Sequence, residues 1–533
     1  MLELTTCVVL PAFDLDAEPA RFLPFLIQFT RDLSLPYSFE NAIALMGPRV
    51  VADFALLETG YDYHVDQDYL PGLDDWTWDL EHLSQPPSML SAENDPLAAK
   101  VFEIVRAVGQ QSKFGQSDAG PFLASPELSC HEFFSPRRLR IYLDLYWTMW
   151  YPNWPTIHRP QFDPLRASSL LLASMAIIGA CHSNDPAERS ASDFWSDTVE
   201  KWASRELDRV HVTGSAVDRR TSVQTVQAAC IICIYQNWNG TNESKRRMRR
   251  QFFAAVAGVC HDMDMSSAVH RDYRFVSQAD FDWREFIEAE EMIRTFIWVF
   301  FIDTAFVIFN GTPPRIALRQ LRMALACPER CFQAQSAEEC FMNIQWWICK
   351  TRTSRESGPS TLFDFIRTFC KDEIDPAVRD VYAHEAYVNH FAVPSAMHVL
   401  LFNMSLDVDA PTEQQLQRVR RALNNWKAVW NRRLSIDRFE RSPIASFDNV
   451  EFSQKHSDDW RRAGFWRHAS EYWLLARLFL EQFESAERGR QDGKNLSRRG
   501  ISACQNQTRI LRRYDETDMT ELHKFLCSWE RVV

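Results

Sequence analysis

The sequence predicts an all-α protein, and three observations carry that prediction. Apolar residues recur at intervals of three or four along most of the chain, the signature of helices with one buried face. No stretch alternates long enough to demand a sheet, and no fixed repeat is visible. The third observation is the segment from Asp282 to Ile316, DWREFIEAEEMIRTFIWVFFIDTAFVIFNGTPPRI, which carries helix punctuation at both ends. Asp282 with Glu285 three residues on is an aspartate version of the capping box. Glu290 precedes Arg294 by one turn, so the two can pair along one face. From Phe296 to Phe309 almost everything is apolar, which predicts a helix buried on most of its sides. Asn310-Gly311 supplies a left-handed stop, and Pro313-Pro314 forbids continuation. A membrane span needs about 20 apolar residues, whereas this run is shorter and carries Asp303 in its middle. A carboxylate there fits a protein core that gives it a partner. Arg294 is nine residues away, so the expected partner is Arg315, past the Pro-Pro corner, or a basic residue of another helix.

The remaining helices follow in chain order. Residues 1–60 hold a possible helix from Ser38 to Leu56, with Pro11, Pro24 and Pro36 interrupting, and are read as a partly helical or irregular N-terminal segment. Residues 61–128 read as an acidic, aromatic linker. Between Gly60 and Lys100 stand nine acids and no Lys or Arg, interleaved with aromatic residues. Asp74, Asp75, Trp76, Trp78 and Asp79 are the centre of this mixture. It has the composition of an activation segment that folds onto a coactivator groove, but the favoured reading is a solvated linker with its aromatics tucked onto the core. Residues 129–533 read as one all-α domain with a central buried helix. Leu139 to Met149 and Leu170 to His182 are helices separated by a proline-rich loop, and Phe194 to Val210 is amphipathic. Thr221 to Trp238, with Val223, Val226, Cys230, Cys233 and Ile234 on one side, turns back into Ser244 to Met263 as an antiparallel pair. The helix after Asp282 should pack on that pair. Further on, Leu416, Val419, Leu423, Trp426 and Trp430 mark one helix, and Phe465 to Phe483 another.

Composition bounds what such a protein can do. At 533 residues, 46% hydrophobic and 24% charged, the chain has a globular composition and room for a large core. The N-terminus MLELTTCVVL lacks the basic head and cleavage site of a secretory signal, so a place inside the cell is expected, with no membrane partner. Thirteen irregularly spaced cysteines then read as reduced core thiols. With a net charge of −12, the chain needs a strongly basic local module to hold DNA. The densest basic run is Lys245, Arg246, Arg247, Arg249 and Arg250 around Met248. It could be read by nuclear import receptors or touch phosphate. The alternative is a solvated or acid-paired helix start with Met248 facing inward.

Sites of chemistry are few. Cys230, Cys233, Cys260 and His261 could in principle ligate zinc, but neighbours Cys260 and His261 point about 100° apart on a helix, and core thiols are the better reading. Cys327, Cys331 and Cys340 are looser still. Asp74-Asp75 with Asp79 approximates an aspartate-rich magnesium site, and Arg513-Tyr514 resembles a diphosphate sensor, which together outline a helical Mg-dependent terpenoid synthase. The second metal motif of such an enzyme is absent between them. No Gly-rich phosphate loop, nucleophile elbow or His-Glu-x-x-His is present, so no enzyme and no cofactor in this chain are expected. His158, His182 and His261 read as hydrogen-bonded core or loop residues.

The pattern Glu290, Glu291, Arg294, Trp298 and Asp303, then Gly311 and Pro313-Pro314, resembles the signature of the fungal-specific transcription factor regulatory domain, the middle homology region. Tyr146 to Pro160 (YWTMWYPNWPTIHRP) resembles that domain's opening helix and loop, and Leu170 to Gly179 its next helix. Ile234 to Trp238, Lys245 to Arg250 and Cys327 to Phe332 are similar to a narrower group, whose members carry N-terminal two-Cys two-His zinc fingers. The similarity is firmest from Phe134 to Phe341. It implies an all-α fold and a fungal RNA polymerase II transcription regulator in the nucleus. It also implies protein partners in the transcription machinery and an effector the sequence does not name. A non-DNA-binding scaffold derived from the family is the alternative. The family's fingers, of the form C-x2-4-C-x12-H-x3-5-H, have no counterpart here, since Cys7 stands alone in the first hundred residues. DNA and zinc are therefore expected only through a missing N-terminal module. Either the coding sequence has lost its 5′ end or this member does without that module.

Overall fold

The computed structural model describes residues 23–31, 33–39, 95–111, 126–214, 218–351, 361–371, 373–440, 464–491 and 508–530. Among them every regular element is a helix and none is a strand, as the apolar spacing predicts. Asp74, Asp75, Trp76, Trp78 and Asp79 lie outside the described residues, as does most of the possible helix from Ser38 to Leu56. The chain divides into two compact units. One contains the short helices Pro24–Phe29 and Leu35–Phe39 together with Thr520–Glu530, joined by a 3.0 Å contact between the Thr30 hydroxyl and His523 Nδ1. The other holds everything described from Asp95 to Asp518.

In the larger unit, helix starts follow local chemistry. Pro136 and Pro186 stand in first turns, where their missing N–H is no loss, and the Ser168, Asp185 and Asp218 side chains accept from the first free amides of the helices they precede. Ser169–Cys181 is buried from Leu170 to its end. It crosses Pro136–Leu145 backbone to backbone, since a Cβ on Gly179 would stand 1.9 Å from the Tyr142 carbonyl oxygen. Pro186–Thr213 packs across it and buries Trp195, Val199, Trp202 and Leu207. Arg219–Trp238 is buried all round from Ser222 to Asn237, not on one side as its apolar stripe suggests. Neighbouring helices surround it, and its polar residues are satisfied inside. Gln227 Nε2 donates to the Thr156 carbonyl at 3.1 Å, and Gln236 Nε2 to Asp197 at 2.8 Å.

Ala98–Gln111, inside the segment read as linker, is a helix of this unit. Val101, Ile104 and Val108 are buried, and the helix packs on Ser169–Cys181 and Pro186–Thr213. The acidic composition before it masked this three-four spacing. Downstream, Tyr387–Leu406, Glu413–Glu440 and Ala469–Gln491 pack on one another, with Trp426 stacked on Trp430 at 4.9 Å and on Trp473 at 6.3 Å. Leu416, Val419, Leu423, Trp426 and Trp430 are all buried, as their spacing requires.

The central helix runs Trp283–Asn310. Asp282 Oδ1 accepts from the Glu285 amide at 3.0 Å, so the aspartate half of the predicted capping box forms. At the other end Gly311 adopts φ 63° and ψ 33°, the Gly311 amide donates to Val307 and the Thr312 amide to Phe306. The first is the single bond of an αL stop, and the second, six residues back, closes a wider loop around it. By length and apolarity this helix could cross a membrane, yet 94% of its most apolar window is buried inside the protein. It packs on Arg219–Trp238, Phe253–Asp262 and Tyr387–Leu406, which makes it the axis of the unit.

Candidate functional site

The family-like residues gather at two places on the central helix. The first is a buried ionic network near its middle. Arg294 Nε donates to Glu290 Oε1 at 2.5 Å, the pairing expected from one-turn spacing. The same guanidinium reaches Glu329 Oε1 at 2.7 Å, the Cys327 carbonyl at 2.8 Å and the Pro155 carbonyl at 3.3 Å, and lies 4.2 Å above the Phe332 ring. Glu290 also takes the Cys327 amide at 3.1 Å and lies 2.7 Å from His270 Nε2. Glu290 is 0% exposed and Arg294 1%, so water cannot replace a lost partner. Burial works to raise the Glu290 pKa, but Arg294 and His270 outweigh it and hold the carboxyl below its ordinary range. Burial likewise works against the Arg294 charge, and Glu329 and Glu290 outweigh it upward. The Glu290–Arg294 pair therefore stays ionised, and the network ties the Pro155 loop, the central helix and the Cys327–Glu329 segment together.

Glu291 and Asp303 serve a different purpose. Each accepts backbone amides from a loop: Glu291 Oε1 that of His158 at 2.7 Å, Asp303 Oδ2 those of Arg315 and Ile316, both at 2.8 Å. This corrects the expectation that a basic side chain pairs with Asp303. The Arg315 guanidinium turns away to the carbonyls of Arg249 and Arg250, at 2.8 and 3.0 Å, and only its amide, aimed by the Pro313-Pro314 corner, meets the carboxyl. Burial lifts Asp303 from 3.8 to about 7 against the pull of those amides, and lifts Glu291 from 4.5 to about 7. The folded state thus holds more protons than the unfolded chain between these values. The stability contributed by the two groups is complete below pH 3.8 and lost as pH rises to about 7. Thermal midpoints are expected to carry this falling component across that window, and Asp303→Asn to remove part of it. A pH profile that Asp303→Asn leaves unchanged would contradict the assignment.

The second place is the C-terminal end of the helix, where the strap from Arg513 to Thr517 docks. Arg513 donates to the carbonyls of Ile308 at 2.7 Å and Phe309 at 3.2 Å, groups a helix end otherwise leaves unpaired. The Asp515 amide donates to Gly311 at 3.0 Å and the Glu516 amide to Asn310 at 2.8 Å, while Asn310 Nδ2 returns a bond to the Glu516 carbonyl at 3.0 Å. Arg513 and Tyr514 are thus no diphosphate sensor: the guanidinium is spent on helix carbonyls. A Cβ on Gly311 would lie 2.7 Å from the Arg513 carbonyl oxygen, so this glycine serves both the left-handed stop and the close approach of the strap.

The basic run meets the same strap. Arg247 forks onto Glu200 at 2.6 and 2.8 Å. Arg249 is 1% exposed and donates to Asn237 at 3.3 Å and to the Glu516 carbonyl at 3.2 Å. Arg250 Nε pairs with Asp515 at 2.7 Å, and Arg246 Nε donates to the Thr517 hydroxyl at 2.8 Å. A π-helical turn at Met248–Phe252 rotates Arg249 inward beside Met248, which even 3.6-residue spacing does not foresee.

Trp298 is buried in an aromatic cluster with Trp154 at 6.4 Å and Trp466 at 6.2 Å. Cys230, Cys233 and Cys260 are buried thiols, pushed upward in pKa by burial, while His261 is exposed and shares no site with them. Cys327, Cys331 and Cys340 belong to an apolar cluster with Tyr273, Phe286 and Phe332. Among the described residues no group of three or more His, Cys, Asp and Glu could hold a metal ion. His158, wedged between Trp283 and Phe332, is driven to a pKa of about 3 by burial and the Arg294 charge, so it is neutral. Partners that sequence reasoning missed are Glu329, His270, Glu200 and Arg513. The groups around Arg294 bond to one another and are closed to solvent, which suits a keystone of packing and not a reacting centre.

Comparison with known proteins agrees with this geometry. The chain is 32% identical over 467 residues to transcription factor verF of Penicillium polonicum, covering 82% of this chain and 60% of that protein. It is 22% identical over 250 residues to zinc finger protein zas1 of Schizosaccharomyces pombe, covering 45% of this chain and 25% of that protein. Zinc finger protein klf1 of the same yeast is 21% identical over 248 residues, covering 45% of this chain and 29% of that protein. The chain thus spans 60% or less of the length of these relatives. No solved structure matches. The family described as fungal specific transcription factor domain matches residues 143–428, which enclose the ionic network, the basic run and the whole central helix. With more than half of its 533 residues matched, and with the signature from Glu290 to Pro314 built into its axis, the chain belongs to the fungal specific transcription factor domain family, a family of non-catalytic regulators.

Proposed function

We propose that this chain is the regulatory part of a nuclear transcription regulator, acting through protein partners and brought to DNA by a separate zinc-finger module. The match over residues 143–428 carries this reading. The names of the two yeast relatives, both zinc finger proteins, and the net charge of −12 support assigning zinc and DNA contact to that other module. The hydrogen bonds of half-buried Arg247 and buried Arg249 support the same division, because side chains spent on Glu200, Asn237 and Glu516 are not free to anchor phosphates. The test is to tether the whole chain to an unrelated DNA-binding domain at a reporter promoter. Transcription is expected to rise or fall severalfold relative to the bare DNA-binding domain. A reporter that does not respond, with the fusion shown to be folded and bound, would favour a scaffold without regulatory output.

A further inference from the structure

We propose that Thr517 is a phosphorylation site, and that its phosphate would clamp the C-terminal strap onto the basic helix through Arg246. Four observations lead there. Arg246 makes no ion pair among the described residues; Arg247 and Arg250 beside it hold Glu200 and Asp515, but its own Nε donates only to the neutral Thr517 hydroxyl at 2.8 Å. A fork that matches a dianion is therefore facing a hydroxyl. The acceptor is held in place, because the preceding residue, Glu516, is bonded through its amide to Asn310 at 2.8 Å and through its carbonyl to Asn310 Nδ2 and Arg249. Thr517 is half-buried and Arg246 exposed, so the hydroxyl lies at the surface and not in the core.

The surrounding charges decide the class of enzyme and the outcome. Thr517 has an acid directly on either side, Glu516 and Asp518, with Thr520 at the third position after it, so the frame suits a protein kinase that reads the residues next to the acceptor. Of the acids that would repel a phosphate, Asp515 is already paired with Arg250, the Glu516 carboxylate lies 3.8 Å from Arg513, and Asp518 is exposed to solvent, which screens it. In the transfer, Thr517 Oγ1 forms a bond to the γ-phosphorus of ATP and the bond from that phosphorus to the bridging oxygen breaks. ADP leaves and the hydroxyl proton passes to solvent. The product carries close to two negative charges and three acceptor oxygens at Arg246, enough for one to three new charge-assisted bonds.

The test uses the full chain, ATP and a set of purified acid-directed protein kinases, including ones that read the residue next to the acceptor. Mass spectrometry is expected to find phosphate on Thr517, lost in Thr517→Ala. Hydrogen exchange is then expected to slow about tenfold at the strap amides 515–517 in the phosphorylated protein. In Arg246→Ala, an exposed substitution that leaves the core intact, phosphorylation is expected to give no such protection. The proposal is overturned by absence of phosphate at Thr517, by strap exchange that is unchanged or faster after phosphorylation, or by protection that survives Arg246→Ala.

Discussion

Arg294→Ala is expected to destabilise the larger unit by about 3–5 kcal/mol, because it strands buried carboxylates without a counter-charge. Glu290 is fully enclosed and Glu329 nearly so, and both face the same guanidinium, so neither can recover its loss from water. The Cys327 and Pro155 carbonyls lose a donor in the same step. Since domains are stable by roughly 5–15 kcal/mol, this loss takes a third or more of the stability of a typical one. Arg294→Lys keeps the charge but loses the fork, and should fall between wild type and alanine. Equilibrium urea denaturation measures both. An Arg294→Ala midpoint within error of wild type would mean that the network does not hold the fold.

Gly311→Ala is expected to cost about 2–4 kcal/mol, from two independent sources. The left-handed backbone at φ 63° is strained for any residue with a Cβ, and that atom would stand 2.7 Å from the Arg513 carbonyl. Relief of the second strain requires the strap to lift from the helix end, so the damage should extend to the amides of Asp515 and Glu516. Calorimetry gives the loss, and hydrogen exchange at residues 513–517 locates it. If the strap amides of Gly311→Ala exchange as in wild type, the strap is not seated by this glycine.

What the sequence made legible follows the range of the interaction. The Asp282 cap, the Glu290–Arg294 pair and the Gly311 stop are local, each complete within four residues, and each forms as spacing predicts. The all-α class was legible for the same reason. Glu329, His270 and Arg513 were not, because they reach the central helix across 35, 20 and more than 200 residues, and nothing in their local spacing marks them. Asp303 was misassigned for a different cause. Its partners are backbone amides, which every residue but proline carries, so only the geometry of the Pro313-Pro314 corner selects those of Arg315 and Ile316. The basic run illustrates a third limit. Five cations in six residues suggest an exposed face, yet a π-helical turn and an acidic strap from the other end of the unit bring Arg249 inside and neutralise Arg250.

The central claim is that this chain regulates without reading DNA itself. Selection from a random-sequence duplex pool at physiological salt, with the full chain as bait, tests it most directly. With a net charge of −12, and with the densest basic run tied to Glu200, Asn237 and the strap, that run is not free to supply both phosphate anchoring and base readout. Specific readers exceed their own non-specific binding by roughly 10³-fold or more. The account predicts that no sequence is enriched over the input pool after repeated rounds. Enrichment of a defined motif by residues 1–533 alone would contradict it and place a reading element within this chain.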